Sequence, residues 1–127
     1  MMTETLRILV AEKQALIALE IEVLLTELTG SSVTVCSRKD MQRELESAPF
    51  DVVLVDAVSL PDNNRATWSM LNIMGLGVVF LTSFDEVPGF TAGQQGFAML
   101  SKPFDEASLL AAVKAAVAKR HAAGQRG

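Results

Sequence analysis

Four side chains with chemistry to offer stand at the ends of apolar runs in this 127-residue sequence. Asp56 closes the run DVVLV, Glu12 follows RILVA (7–11), Thr82 closes GVVFL (77–81), and Lys102 follows FAMLS (97–101). Two carboxylates, a hydroxyl and an ammonium can hold a polar ligand, provided that they meet. Taken singly, each has a plainer meaning: a turn or helix cap for Asp56, a surface residue for Glu12, a strand residue for Thr82, a solvated charge for Lys102. They meet if the runs are parallel strands of one sheet, because the carboxyl ends of such strands share an edge and ligands bind in the crevice outside it.

The segments between the runs have the period that such a sheet requires. After RILVA, Ile17, Ile21, Leu24, Leu25 and Leu28 recur at helical spacing, and Gly30 supplies a stop. SVTVC is a second strand. In SRKDMQRELESAP, Ser37 and Asp40 are spaced as a capping box, Met41, Leu45 and Ala48 share a face, and Pro49 ends the helix. Trp68, Leu71 and Met74 predict a short helix before GVVFL, whereas Pro88, Gly89, Gly93 and Gly96 predict a loop or a single turn over 84–96. The last helix, DEASLLAAVKAAVAKR, has Asp105 as a cap, Leu109, Val113 and Val117 as a core stripe, and Lys119 and Arg120 at its end. Apolar strands alternating with amphipathic helices predict an α/β fold: a doubly wound five-stranded parallel sheet with helices on both faces and a short or irregular fourth helix in the 84–96 stretch.

Composition narrows the function. The length suits one domain that buries roughly two thirds of its unfolded surface. Half of the residues are apolar and the net charge is -4, which argues against a nucleic-acid surface. One cysteine, Cys36, suits a reducing cytoplasm, and the N-terminus reads neither as a signal peptide nor as a membrane span. VAEKQAL lacks the glycines of a dinucleotide or flavin loop, and a single histidine in the tail, His121, gives no hydrolase triad.

In its motifs and their order the sequence resembles the receiver domain of bacterial two-component response regulators. The likeness covers nearly the whole chain and rests on ILVAEKQALIAL, where the family has an acidic pair, DVVLVD for the phosphorylated aspartate, FLTS for the hydroxyl residue, and LSKPF for a lysine followed by proline. The resemblance implies that Asp56 is the nucleophile toward a phosphoryl group carried by a histidine kinase or histidine phosphotransferase. Lys102 would pair with one phosphoryl oxygen and Thr82 would donate a hydrogen bond to another. Mg²⁺ would be held by Glu12, Asp56 and the main-chain carbonyl of Val58. It further implies a cytoplasmic signalling protein with no enzyme activity of its own, acting on a downstream effector protein. On this reading the chain is a stand-alone receiver, 1–121, with a polar tail, 122–127; it binds neither nucleic acid nor membrane, and homodimer formation is left open.

Two positions depart from the family. The second acid should be residue 13, but that is Lys13, and Gln14 cannot supply the charge. Glu12 and Asp56 are then balanced by Lys13 and Lys102, and unit charges about 4 Å apart interact by roughly 4 kcal/mol at an effective dielectric of about 20, so Mg²⁺ binding is weakened. Two readings follow: a phosphoacceptor whose Lys13 turns to solvent, or a pseudo-receiver, an interaction module in which Lys13 pairs with Asp56. The second departure is Met99, where receivers commonly carry an aromatic residue linked to movement of the Thr hydroxyl. Phe97 shares its strand face but is read as packing, so output is expected to use another face. Cys36, Trp68, Met70 and Met74 are read as packing, with a partner-contact patch as the other meaning of the last three.

Overall fold

The computed structural model describes residues 5–57, 61–82 and 98–125. Its strands are β1 (Arg7–Ala11), β2 (Ser32–Cys36), β3 (Val52–Asp56), β4 (Gly77–Thr82) and β5 (Ala98–Ser101). They form one sheet of order β2-β1-β3-β4-β5 in which every pairing is parallel. The helices are α1 (Ala15–Thr29), α2 (Met41–Ser47), α3 (Pro61–Ile73) and α4 (Glu106–Gln125), with a 3-10 turn at Arg38–Asp40. The doubly wound five-stranded sheet is the expected one; the loop expected over 84–96 lies outside the described residues.

Successive residues of a strand point to opposite faces, so each central strand serves two cores. Ile8, Val10, Val52, Leu54, Val79 and Leu81 pack against Ala18, Ile21 and Leu25 of α1 and Leu109, Ala112, Val113 and Ala116 of α4. On the other face, Leu9, Val53, Val55, Val78 and Phe80 meet Met41 and Leu45 of α2 and Leu71 of α3. Every residue of β3 and β4 is buried, which is why both read as unbroken apolar runs.

Backbone geometry calls for glycine at positions 30 and 77. Gly30 ends α1 in the left-handed region, φ 70°, and its N–H bonds to Thr26. Gly77 opens β4 under α4, where a Cβ would stand 2.8 Å from the main-chain oxygen of Ala116. The Ser37 hydroxyl accepts the Asp40 N–H as a cap should, but Asp40 pairs with Arg43 (3.3 Å) and does not complete the box. Asp105 caps α4 through the Ser108 N–H, 2.8 Å.

Three details differ from the sequence expectation. Leu28, in the last turn of α1, is 43% exposed, and Met74 is 46% exposed just beyond α3. The backbone of α4 continues past Arg120 to Gln125, since Ala122 and Ala123 favour helix and one Gly costs only about 1 kcal/mol relative to Ala. No helix among the described residues is long and apolar enough to cross a membrane.

Candidate functional site

The carboxyl ends of β1, β3, β4 and β5 bring Glu12, Asp56, Thr82 and Lys102 to one rim. Lys102 stands one residue past β5, and its N–H bonds to the Thr82 carbonyl at 2.7 Å, which fixes the start of its side chain. The following peptide, Lys102–Pro103, is cis. The Lys102 Nζ then bridges both acids, 2.9 Å from Asp56 Oδ1 and 3.0 Å from Glu12 Oε1. These three side chains are 7%, 12% and 0% exposed, so the bridge is largely withdrawn from water.

The remaining carboxylate oxygens face main-chain donors at the start of α1. The Lys13 N–H donates to Asp56 Oδ2 and the Gln14 N–H to Glu12 Oε2, each at 2.9 Å. All four oxygens of the pair are therefore hydrogen-bonded. Thr82 is buried, and its hydroxyl donates to Ser101 Oγ at 3.3 Å, at the margin of the same rim.

The two carboxyls are driven apart in acidity. Burial holds Glu12 above its ordinary value, reinforced by Asp56 and only partly offset by the bonds from Gln14 and Lys102. Burial acts in the same sense on Asp56, yet the Lys13 N–H, the Lys102 ammonium and Glu12 outweigh it and hold Asp56 below the usual carboxylate value. For Lys102, the penalty of burial is exceeded by its bonds to Asp56 and Glu12, and its ammonium is raised above the ordinary value. Asp56 is thus the carboxylate kept ionised and Glu12 the one that takes up a proton first.

Of the two readings of Lys13, a side chain turned to solvent or an ion pair with Asp56, the structure has the first. Lys13 presents its main-chain N–H to Asp56 while its residue is exposed, and the ammonium beside Asp56 belongs to Lys102. Val58, the expected third Mg²⁺ ligand, lies outside the described residues, as does Phe97. Glu12 and Asp56 fit a hard dication poorly as they stand: each shares an oxygen with Lys102, each has its other oxygen bonded to an N–H, and no group of three or more His, Cys, Asp or Glu is gathered among the described residues.

Sequence reasoning missed two participants. Ser101 receives the Thr82 hydroxyl, and Arg38 reaches the site from the turn after β2. The Arg38 guanidinium donates through Nη1 to the main-chain carbonyl of Asp56, 2.5 Å, and through Nη2 to Thr67 Oγ1 of α3, 2.6 Å. Residue 101 was signalled only by its place beside Lys102 in SKPF, and nothing in the spacing of Arg38 pointed to the rim. Met99 is half-buried against the α2–α3 core, Trp68 and Met70 pack there as well, and Cys36 is partly buried with its thiol pushed up to about 11, mainly by burial.

No family model matches the chain, and no curated protein matches it in sequence. Solved structures do match. NtrX from Brucella abortus is similar with a TM-score of 0.74 and 14% identity over 96% of this chain, which spans 28% of that one. The signal receiver domain of an HD domain-containing protein from Pseudomonas fluorescens Pf-5 gives 0.73 and 20%, covering 94% of this chain and 99% of that domain. A response regulator receiver protein from Sinorhizobium medicae WSM419 gives 0.70 and 23%, covering 92% and 98%. By sheet order, helix placement and these likenesses, the chain has the fold of a response regulator receiver domain.

Proposed function

We propose that this chain is a receiver that accepts a phosphoryl group on Asp56 from a histidine kinase or histidine phosphotransferase and passes the signal to an effector protein by direct contact. The observation that carries this reading is the Lys102 ammonium 2.9 Å from Asp56 Oδ1, with Thr82 closing the neighbouring strand β4 on the same edge of the sheet. An Asp56 oxygen attacks phosphorus as the bond from phosphorus to the donor imidazole nitrogen breaks. The electron pair of that bond stays on the imidazole, and the phosphoryl group leaves as an acyl phosphate on Asp56. Such a transfer spreads negative charge over the phosphoryl oxygens, so catalysis is mainly positioning and charge stabilisation. Lys102 neutralises that charge, and the Thr82 hydroxyl turns from Ser101 toward a phosphoryl oxygen.

Mg²⁺ binds weakly on this reading, because it must take oxygens from Lys102 and stands beside Lys13 where a receiver has an acid. A protein donor is supported by α1, which starts two residues after Lys13 and exposes Leu16 (82%), Leu19 (54%) and Val23 (43%). A second reading, an interaction module that is never phosphorylated, is favoured by the bridge that Lys102 makes to both acids, which occupies one oxygen of each. Intact mass after treatment with a small phosphodonor and Mg²⁺ separates the two. Gain of one phosphoryl group, lost in Asp56→Ala, supports phosphorylation; no gain in the native protein together with gain in Lys13→Asp supports the interaction module.

A further inference from the structure

Arg38 has no part in the transfer described above, yet it is bonded to the residue that would perform it. Its guanidinium is a planar fork, and the two prongs end on different elements: Nη1 on the carbonyl of Asp56, the last residue of β3, and Nη2 on the hydroxyl of Thr67 in α3. Arg38 and Thr67 are both half-buried, so the bonds are partly shielded from competing water. Helix α3 packs on the sheet through Leu71, Trp68 and Met70, and the Arg38 fork adds a polar tie from Thr67 to the end of β3.

Resting on the phosphoacceptor reading, we propose that Arg38 is a positioning residue that couples the state of Asp56 to helix α3. A phosphoryl group brings a charge of about -2 to within one residue's reach of this guanidinium. The cation is drawn toward it, the fork lets go of Thr67, and α3 loosens. Release of one net hydrogen bond should speed amide exchange in α3 by about fivefold.

The test is hydrogen exchange of α3 read by mass spectrometry, with intact mass recorded on the same samples before and after treatment with acetyl phosphate and Mg²⁺. In the native protein, exchange in α3 accelerates with gain of the phosphoryl group. Thr67→Val gains the group equally but exchanges fast in α3 from the outset, with no further response, and Thr67→Ser behaves as the native protein. An equal response in Thr67→Val, or no α3 response in a native protein that has gained mass, overturns the coupling. If the native protein gains no mass, the phosphoacceptor reading fails, and Asp56→Asn decides the coupling on its own. A change in α3 exchange that occurs with Thr67 and vanishes with Thr67→Val supports it, and equal changes in both overturn it.

Discussion

Lys102 holds together two carboxylates that would otherwise repel each other in a nearly dry rim. Removing one partner of a buried ionic cluster leaves charge uncompensated, so Lys102→Ala should lower stability by about 3 kcal/mol near neutral pH. The loss should shrink as pH falls, because Glu12, already raised, takes up a proton and relieves the repulsion; urea unfolding at several pH values reads both. At Lys13 the expectation is opposite in sense. Lys13→Asp replaces a repulsive charge by an attractive one and should tighten Mg²⁺ binding by about tenfold or more, roughly 1.4 kcal/mol, measured by calorimetry. Glu12, Asp56, Thr82 and Lys102 were legible because strand ends in a parallel sheet are forced to one edge. The Arg38 bonds and the Thr82–Ser101 bond were not, since they depend on side-chain conformers and no periodicity reports those.

Elements were legible wherever burial imposes a period. β3 and β4 are covered on both faces and appear as continuous apolar runs, and α1 carries Ile21 and Leu25 at the spacing that meets the sheet. The misread positions, among them Leu28, Ala48 and Met74, fall in the last turn of a helix or just beyond its end. Gly77 shows the reverse: nothing in GVVFL marks its first residue as special, yet α4 passes so close that a methyl group would meet the Ala116 carbonyl. Because the obstacle is backbone and cannot swing aside, Gly77→Ala should destabilise the fold by about 1–3 kcal/mol, seen as a lower denaturation midpoint.

On the scale of the whole molecule, the ionisable groups bound the pH range of stability. Asp56 is lowered below its ordinary 3.8, so its contribution is present above that value and is lost as pH falls through its folded value. Glu12 is raised and favours the fold when protonated, which delays that acid loss. On the alkaline side, Cys36 ionises near 9.0 when unfolded and about 11 when folded, so stability declines as pH rises across that interval; Lys102, raised above 10.5, adds its loss beyond. Stability from urea midpoints should therefore be flat around neutrality and fall above pH 9, with the first part of that fall absent in Cys36→Ala. The proposed function turns on the Asp56 carboxylate. The most direct test treats the protein with a small phosphodonor and maps the hydroxylamine-labile phosphate by peptide mass spectrometry. The account predicts modification confined to Asp56; phosphate on another residue, with Asp56 left unmodified, would contradict it.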